Sequence, residues 1–291
     1  MTTEQIARTR RFYRAVTAQS GALDTSYLGL GRPLGPARVL NAIGHGMTEL
    51  DQIRSYLRLD SGLLSRYLRG LEDEGLVITT ASEADNRRRV ASLTADGQRA
   101  FREYERLGDA QAASVLARHP RPGALLDAMD LVATAFGIDR LKIEVVAPSD
   151  RRAQTCLKAF YAELSQRFER GFDVALSCDP DQTDMTPPRG AFLLMEVDGL
   201  PIGCAGLKGT DKGYAEIKRM WIAPAARGMG LTHRLMHALE DQARSLGIDT
   251  LRLDTNSVLS EACAYYRKHG WTEIPRFNPD PYPDLFFEKK L

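Results

Sequence analysis

Residues suited to chemistry concentrate between Glu216 and Trp271. Arg227-Gly228-Met229-Gly230-Leu231-Thr232 follows an apolar, aromatic run, Trp221-Ile222-Ala223, that ends at Pro224, and it precedes Leu235, Met236, Leu239 and Ala243 at helical spacing. The local reading is strand, glycine loop, helix. Such a junction holds phosphate, because glycines let the backbone approach an anion and the first N–H groups of a helix lack internal partners and lie at the positive end of its dipole. A Walker loop needs a Gly-Lys-Ser/Thr ending and a dinucleotide fold a wider glycine spacing, and neither is present. The expected pyrophosphate therefore belongs to another kind of molecule.

The loop resembles the acetyl-CoA signature of the GNAT acetyltransferases, Arg/Gln-x-x-Gly-x-Gly/Ala, with Thr232 where that family usually has a smaller residue. The flanks agree in order: Glu216 to Ile222 looks like the family's fourth strand, Leu251 to Asn256 like its fifth, and Ala262 to Trp271 like the following helix and glycine. The resemblance implies a mixed α/β GNAT fold with a central, mostly antiparallel sheet. It also implies acetyl-CoA as donor cosubstrate, held by Arg227, Gly228, Met229, Gly230, Leu231 and Thr232, with Arg234 a further phosphate contact. Where the strands ending at Ile222 and Asn256 part, backbone groups of Met220, Trp221 and Ile222 are expected to bond the pantetheine and polarise the thioester, with Asn256 reaching it from the other side. Tyr266 stands where the family's tyrosine protonates the CoA sulfur. Glu216 matches the acidic position that can take the amine proton, although a substrate-orienting or structural carboxylate is an open reading for it. Tyr265 reads as core, and Cys263 as packing, since direct attack needs no acyl-cysteine.

His233 and His237 lie four apart, as metal ligands can, but no glutamate follows the first histidine and the helix already serves the coenzyme, so no metal is expected. His45 and His119 stand alone and read as structural. Cys156, Cys178, Cys204 and Cys263 lack Cys-x-x-Cys spacing and fit buried thiols in a reducing cytoplasm. With neither a signal peptide nor an apolar run long enough to cross a bilayer, a cytoplasmic protein without a membrane partner is expected. The 291 residues leave room for two cores. The net charge of +1 says nothing about nucleic acid, because basic and acidic regions can cancel and only their local distribution tells.

The elements that must position these residues begin with helices. Ile6 to Ala18, Pro36 to Ile43, and a segment from Thr48, read as N-cap, to Arg58 are helical. Leu59-Asp60-Ser61-Gly62 turns the chain into a helix from Leu63 to Glu74, with Leu64, Leu68 and Leu71 inward and Ser61, Ser65, Arg66 and Arg69 outward, types that read groove edges and phosphates. Leu76 to Thr80 and Val90 to Thr94 flank a basic tip, Asp85-Asn86-Arg87-Arg88-Arg89. The whole resembles the winged helix-turn-helix of the MarR regulators, through Leu64-Ser65-Arg66, Asp85-x-Arg87 and Leu93-Thr94-x-x-Gly97. That resemblance implies a wing arginine, Arg87, in the minor groove, steadied by Asp85 and neighboured by Arg88. It also implies that Arg99 to Leu116 and Ala124 to Phe136 join the first helix in a homodimer that presents two recognition helices to double-stranded DNA.

The pattern changes near Gly137-Ile138-Asp139, giving an α+β protein of two domains: a mainly helical, MarR-like one over 1–137 and a GNAT one over 140–291. Leu141 to Val146 reads as a strand, Asp150 caps a helix through Phe168, and 170–190 reads as an acidic loop beside the acceptor. Phe192 to Val197 and Ile202 to Leu207 form a hairpin, and Tyr282 to Phe287 closes the sheet. The expected function is a bifunctional regulator and N-acetyltransferase acting on a small amine or amino acid by direct attack. Its rival is a transcription factor whose GNAT domain senses acetyl-CoA or a metabolite with little turnover. Asp173 to Asp184 hints at a cationic acceptor, whereas Arg189 could hold a carboxylate.

Overall fold

Helix starts follow from side-chain caps. The computed structural model describes residues 1–81, 88–178, 180 and 182–291. The chain divides into two units, Met1–Pro122 and Gly123–Leu291. In the first, Thr2 and Gln5 close a capping box on α1 (Thr3–Gln19). α2 (Leu34–Gly44) is the hub, with Val39 and Leu40 wholly buried. α3 (Leu50–Leu57) and α4 (Ser61–Asp73) are separated by Arg58 in the left-handed region, and Asp60 caps α4 by accepting from the Leu63 N–H at 2.8 Å. The hairpin of β1 (Val77–Ala81) and β2 (Arg89–Leu93) leads into α5 (Ala95–Ala117), capped by Thr94. Gly97 lies so close to the Leu76 carbonyl that a Cβ would overlap it, which accounts for the glycine three residues after the cap.

Two local expectations change. Thr48 caps nothing: its carbonyl accepts from the Ala91 N–H at 2.9 Å and Glu49 bridges Val90, so this backbone is extended and α3 starts at Leu50. Asp60 is a cap rather than a turn residue, which brings Ser61 and Gly62 into α4.

In the second unit α6 (Pro122–Gly137) ends with Gly137 against Val197, so it clusters with the sheet that carries Val197. The strands are β3 (Lys142–Val146), β4 (Ala191–Val197), β5 (Leu200–Gly209), β6 (Ala215–Ile222), β7 (Thr250–Thr255), β8 (Thr272–Glu273) and β9 (Leu285–Lys290), in the order β3-β4-β5-β6-β7-β9-β8. Every pairing is antiparallel except β6 with β7. α7 (Arg151–Arg167) covers one face, and α8 (Leu231–Ser245) and α9 (Ser260–Lys268) the other. Both faces being covered, all seven residues of β4 are buried: Leu193 and Met195 pack towards α8, Phe192 and Leu194 towards α7. No helix among the described residues is long and apolar enough to cross a membrane.

Asp150 caps α7 as its sequence position implies, accepting from the Arg152 N–H at 2.8 Å. Its carboxyl is held at about 2, chiefly by the Arg152 side chain. A depressed carboxyl contributes stability that is present above its unfolded pKa of about 3.9 and lost as pH falls towards 2. Asp150→Ala is expected to lower stability by about 1 kcal/mol at pH 7 and to flatten the acid limb below pH 4, as measured by urea unfolding across pH.

Candidate active site and candidate nucleic-acid interface

β6 and β7 pair only from Ala215–Leu251 to Ile217–Leu253, after which they part. Just there β6 carries an extra residue: Lys218 faces Gly206 and Trp221 faces Cys204, leaving Arg219 and Met220 opposite the single Ala205, with Arg219 at φ +57°. The bulge inverts the alternation of the strand, so that Ile217 and Ile222 point into the α8 core while Trp221 points towards α7. Two cavities open at the gap. One, about 320 Å³, is lined by Trp221, Arg227, Gly228, Gly230, Thr232 and Tyr265. The other, about 140 Å³, is lined by α7, residues of the 170–190 loop and the end of β7. Phe160, Leu164, Met220, Leu259, Ala262 and Tyr266 line both, so a molecule passing from one to the other crosses between the parted strands.

Gly228 and Gly230 adopt φ +80° and +74°, and a Cβ at either would meet no protein atom within 4 Å. Among the described residues, the N–H groups of Gly228, Met229 and Gly230 find no backbone acceptor, and those of Leu231 and Thr232 lie in the first turn of α8, where none is available. Open space, partnerless donors and a helix N-terminus coincide, which fits a pyrophosphate. The side chains of Met229 and Leu231 pack into the core, so these two residues offer the loop only backbone. Arg234 is exposed and lies outside both linings.

Arg227 lines the larger cavity beside the glycine loop, and its guanidinium also donates to the Ile222 carbonyl at 3.0 Å and to Glu163 at 2.6 Å, so it braces the strand end. The same Glu163 oxygen accepts from the Trp221 indole at 2.9 Å, and its other oxygen lies 3.4 Å from Arg167. Burial opposes the Glu163 charge, but the bonds from Arg227 and Trp221 outweigh it and hold the carboxyl below its ordinary value. Nothing in the sequence marks the role of Glu163 at the strand end, because Trp221 and Arg227 lie 58 and 64 residues away.

Tyr266 is buried where the cavities meet, its ring against Trp271 and Phe287 at 5.9 and 5.6 Å. Burial pushes its hydroxyl well above the ordinary tyrosine value. Tyr265 packs against the core as expected and also reaches the rim of the larger cavity: its ring stacks on His269 at 4.0 Å, its hydroxyl lies 3.2 Å from His233 Nδ1, and burial pushes its pKa up to about 12. His233 and His237 approach each other at 3.1 Å. Among the described residues no group of three or more His, Cys, Asp or Glu is placed to hold a metal.

Glu216 lies below the cavities rather than in them. It is 5% exposed and paired on both sides within the sheet, and its Oε2 sits 3.3 Å from Lys218 Nζ without forming a hydrogen bond. Two carboxylates line the smaller cavity, Asp254, bonded by Lys218 and Asn278, each at 2.5 Å, and Asp280. Burial works against the Lys218 charge, yet Asp254 and Glu216 raise its pKa. Asn256 lines this cavity too, with its amide donating to the Tyr282 carbonyl at 2.7 Å. Arg189 is bridged to Asp184 and Asp211 and lines neither cavity, and Asp173 accepts from the Ala175 N–H. Asp179 and Asp181 lie outside the described residues. Phe172, Ser177 and Met185 of this loop line the smaller cavity.

In the first unit Leu64, Leu68 and Leu71 bury one face of α4, while Ser61, Ser65, Arg66 and Arg69 stand exposed. Arg88 is tied to Glu49 at 3.4 Å and Arg89 to Thr79 Oγ1 at 2.6 Å, so the root of the wing is fixed. Asp85 and Arg87 lie outside the described residues.

The sequence profile described as the acetyltransferase (GNAT) family matches residues 157–271, and one described as a winged helix DNA-binding domain matches residues 37–97. IAA acetyltransferase of Azospirillum brasilense is 36% identical over 115 residues, 38% of this chain and 74% of that protein. The uncharacterized N-acetyltransferase YjgM of Escherichia coli strain K12 is 31% identical over 120 residues, 39% of this chain and 70% of that protein. A crystal structure of a GNAT-family acetyltransferase from Staphylococcus aureus Mu50 superposes with a TM-score of 0.46 at 18% identity, over 52% of this chain and 98% of that one.

Proposed function

Through its C-terminal half the chain belongs to the GNAT acetyltransferase family, and from that premise we propose that it moves an acetyl group from acetyl-CoA to the amine of a small molecule, under the same roof as a DNA-binding unit. The observation that carries this reading is the meeting of two cavities at Met220 and Tyr266, one backed by the glycine loop and one by Lys218 and Asp254. The loop N–H groups from Gly228 to Thr232 hold the diphosphate, and the β6 backbone from Met220 to Ile222 orients the pantetheine.

The thioester, when bound, supplies an activated acetyl carbonyl. An uncharged nitrogen enters from the smaller cavity, forms the C–N bond as the C–S bond breaks, and loses one proton while the sulfur gains one. Burial keeps Tyr266 protonated, so it donates to the departing sulfur. Asp254, which borders the acceptor cavity, is placed to draw the amine proton, with Lys218 and Glu216 behind it. A steady-state assay of CoA release over a panel of amines tests the reading. Turnover of at least one amine is expected; tight acetyl-CoA binding with no amine acetylated would leave a coenzyme-sensing module in its place.

The first unit is proposed to bind double-stranded DNA as a homodimer. In support, α4 presents Ser65, Arg66 and Arg69 to solvent, and α1 buries no residue within its own chain, leaving Ile6, Phe12 and Val16 exposed for a second copy. Arg66→Ala/Arg69→Ala is expected to weaken binding to promoter DNA and to lower the slope of log K against log salt by about 2 per protomer. Fluorescence anisotropy at several salt concentrations reads this; an unchanged slope would remove both arginines from the interface.

A further inference from the structure

Phe168, Phe172 and Tyr282 are each half-buried, yet none belongs to a hydrophobic core of the protein. They pack instead on one another around the smaller cavity: Phe172 on Tyr282 with ring centroids 4.7 Å apart, Phe168 on Tyr282 at 5.9 Å, and Phe168 on Phe172 at 6.2 Å. Tyr282 is locked in place by its hydroxyl, which accepts from the Asp173 N–H at 2.8 Å and donates to the Asp173 carbonyl at 3.1 Å. Phe160 completes the wall. Aromatic side chains cost surface exposure unless something covers them, and here that something would be a ligand.

The cavity's size narrows the choice. At about 140 Å³ it is close to the apolar cavity of roughly 150 Å³ that accepts a benzene ring. The polar groups that line it are already engaged: Lys218 with Asp254 and Glu216, Asp254 also with Asn278, Arg219 with Tyr161 and Ser177, and Asp280 with the N–H groups of Cys178 and Tyr282, each at 3.2 Å. A sugar or polyamine acceptor finds few polar groups without a partner already, whereas an aromatic ring finds its partners ready. Asp254 and Asp280 share the cavity with Lys218 and Arg219, so its charge is balanced and suits an acceptor whose single amine enters uncharged.

We propose, resting on the acetyl-transfer reading above, that the acceptor is a primary amine carrying a single phenyl-sized aromatic ring on a short chain, the ring held by Phe168, Phe172 and Tyr282. The full-length protein with acetyl-CoA is assayed against 2-phenylethylamine, its saturated counterpart 2-cyclohexylethylamine, n-propylamine and spermidine. The aromatic amine is expected to exceed the cyclohexyl amine roughly threefold to tenfold in kcat/KM, the margin that aromatic pairing adds beyond area alone. Spermidine and propylamine are expected to fall at least 100-fold below it. Phe172→Ala should raise KM for 2-phenylethylamine at least tenfold with KM for acetyl-CoA unchanged, and Phe172→Tyr should restore it. Calorimetric titration of the amine into the wild-type protein with CoA present gives a second measure that needs no variant. Spermidine or propylamine acetylated as well as the aromatic amine overturns the proposal and leaves the acetyl-transfer reading standing. No amine acetylated by protein that binds acetyl-CoA overturns both.

Discussion

Tyr266→Phe is expected to lower kcat by roughly 10²- to 10³-fold while acetyl-CoA affinity stays within about twofold, because positioned proton donation contributes on this scale and the ring itself is kept. The phenyl group left behind retains the contacts to Trp271 and Phe287, so the fold should be undisturbed. Burial raises the hydroxyl above the ordinary tyrosine value of about 10, so it stays protonated through the neutral range and kcat should show no alkaline loss from this group below pH 10. The same sign governs stability: the contribution of a raised group is complete below its unfolded pKa and is lost only as pH rises through the higher folded one. Stopped-flow transfer rates against pH measure the first claim and calorimetric titration of acetyl-CoA the second. A phenylalanine variant with the wild-type rate would take Tyr266 out of the chemistry.

The larger effect on binding is expected from Gly230→Val. At φ +74° a β-branched residue is strained by roughly 1–2 kcal/mol, and relief comes by rotating the very peptide units whose N–H groups face the cavity. A charge-assisted hydrogen bond contributes about 1.5–3 kcal/mol, so misaiming two of them should raise the acetyl-CoA Kd by about 100-fold or more. Gly213→Val is the matched control, since Gly213 has φ +78° with no atom within 4 Å of its Cβ and lines neither cavity. It should show a similar drop in melting temperature with unchanged Kd. Equal Kd values for the two variants would mean that the glycine loop does not hold the diphosphate.

What was legible in the sequence was local. The junction at Arg227 to Thr232, the cap at Asp150 and the leucine stripe of α4 all rest on spacings within one or two turns, and each stands where its spacing puts it. The illegible parts depend on residues far apart. Arg227 reads as a phosphate ligand, and nothing local announces its bond to Glu163, 64 residues earlier. Glu216 reads as a proton acceptor by its place on the strand, but pairing on both edges sinks it beneath Lys218. Strict alternation along β6 fails after Arg219, since no pattern of side-chain types announces one extra residue. In the 170–190 loop the acids draw the eye, whereas Phe172, Ser177 and Met185 reach the cavity.

α7 and its C-cap residue Phe168 carry two adjoining stripes, each repeating every fourth residue. Phe160, Leu164 and Phe168 face the smaller cavity, and Glu163 and Arg167 fasten the end of β6 and the head of α9. On the reading proposed above the first stripe borders the acceptor and the second braces the site; Leu164 is buried and Phe160 packs on the cluster that holds Trp221, so a change at 168 is expected to alter acceptor choice with the least cost to the fold. Positions 163 and 167 have no such licence. A lineage adapting to new amines would be expected to vary position 168 first and to leave 163 and 167 alone.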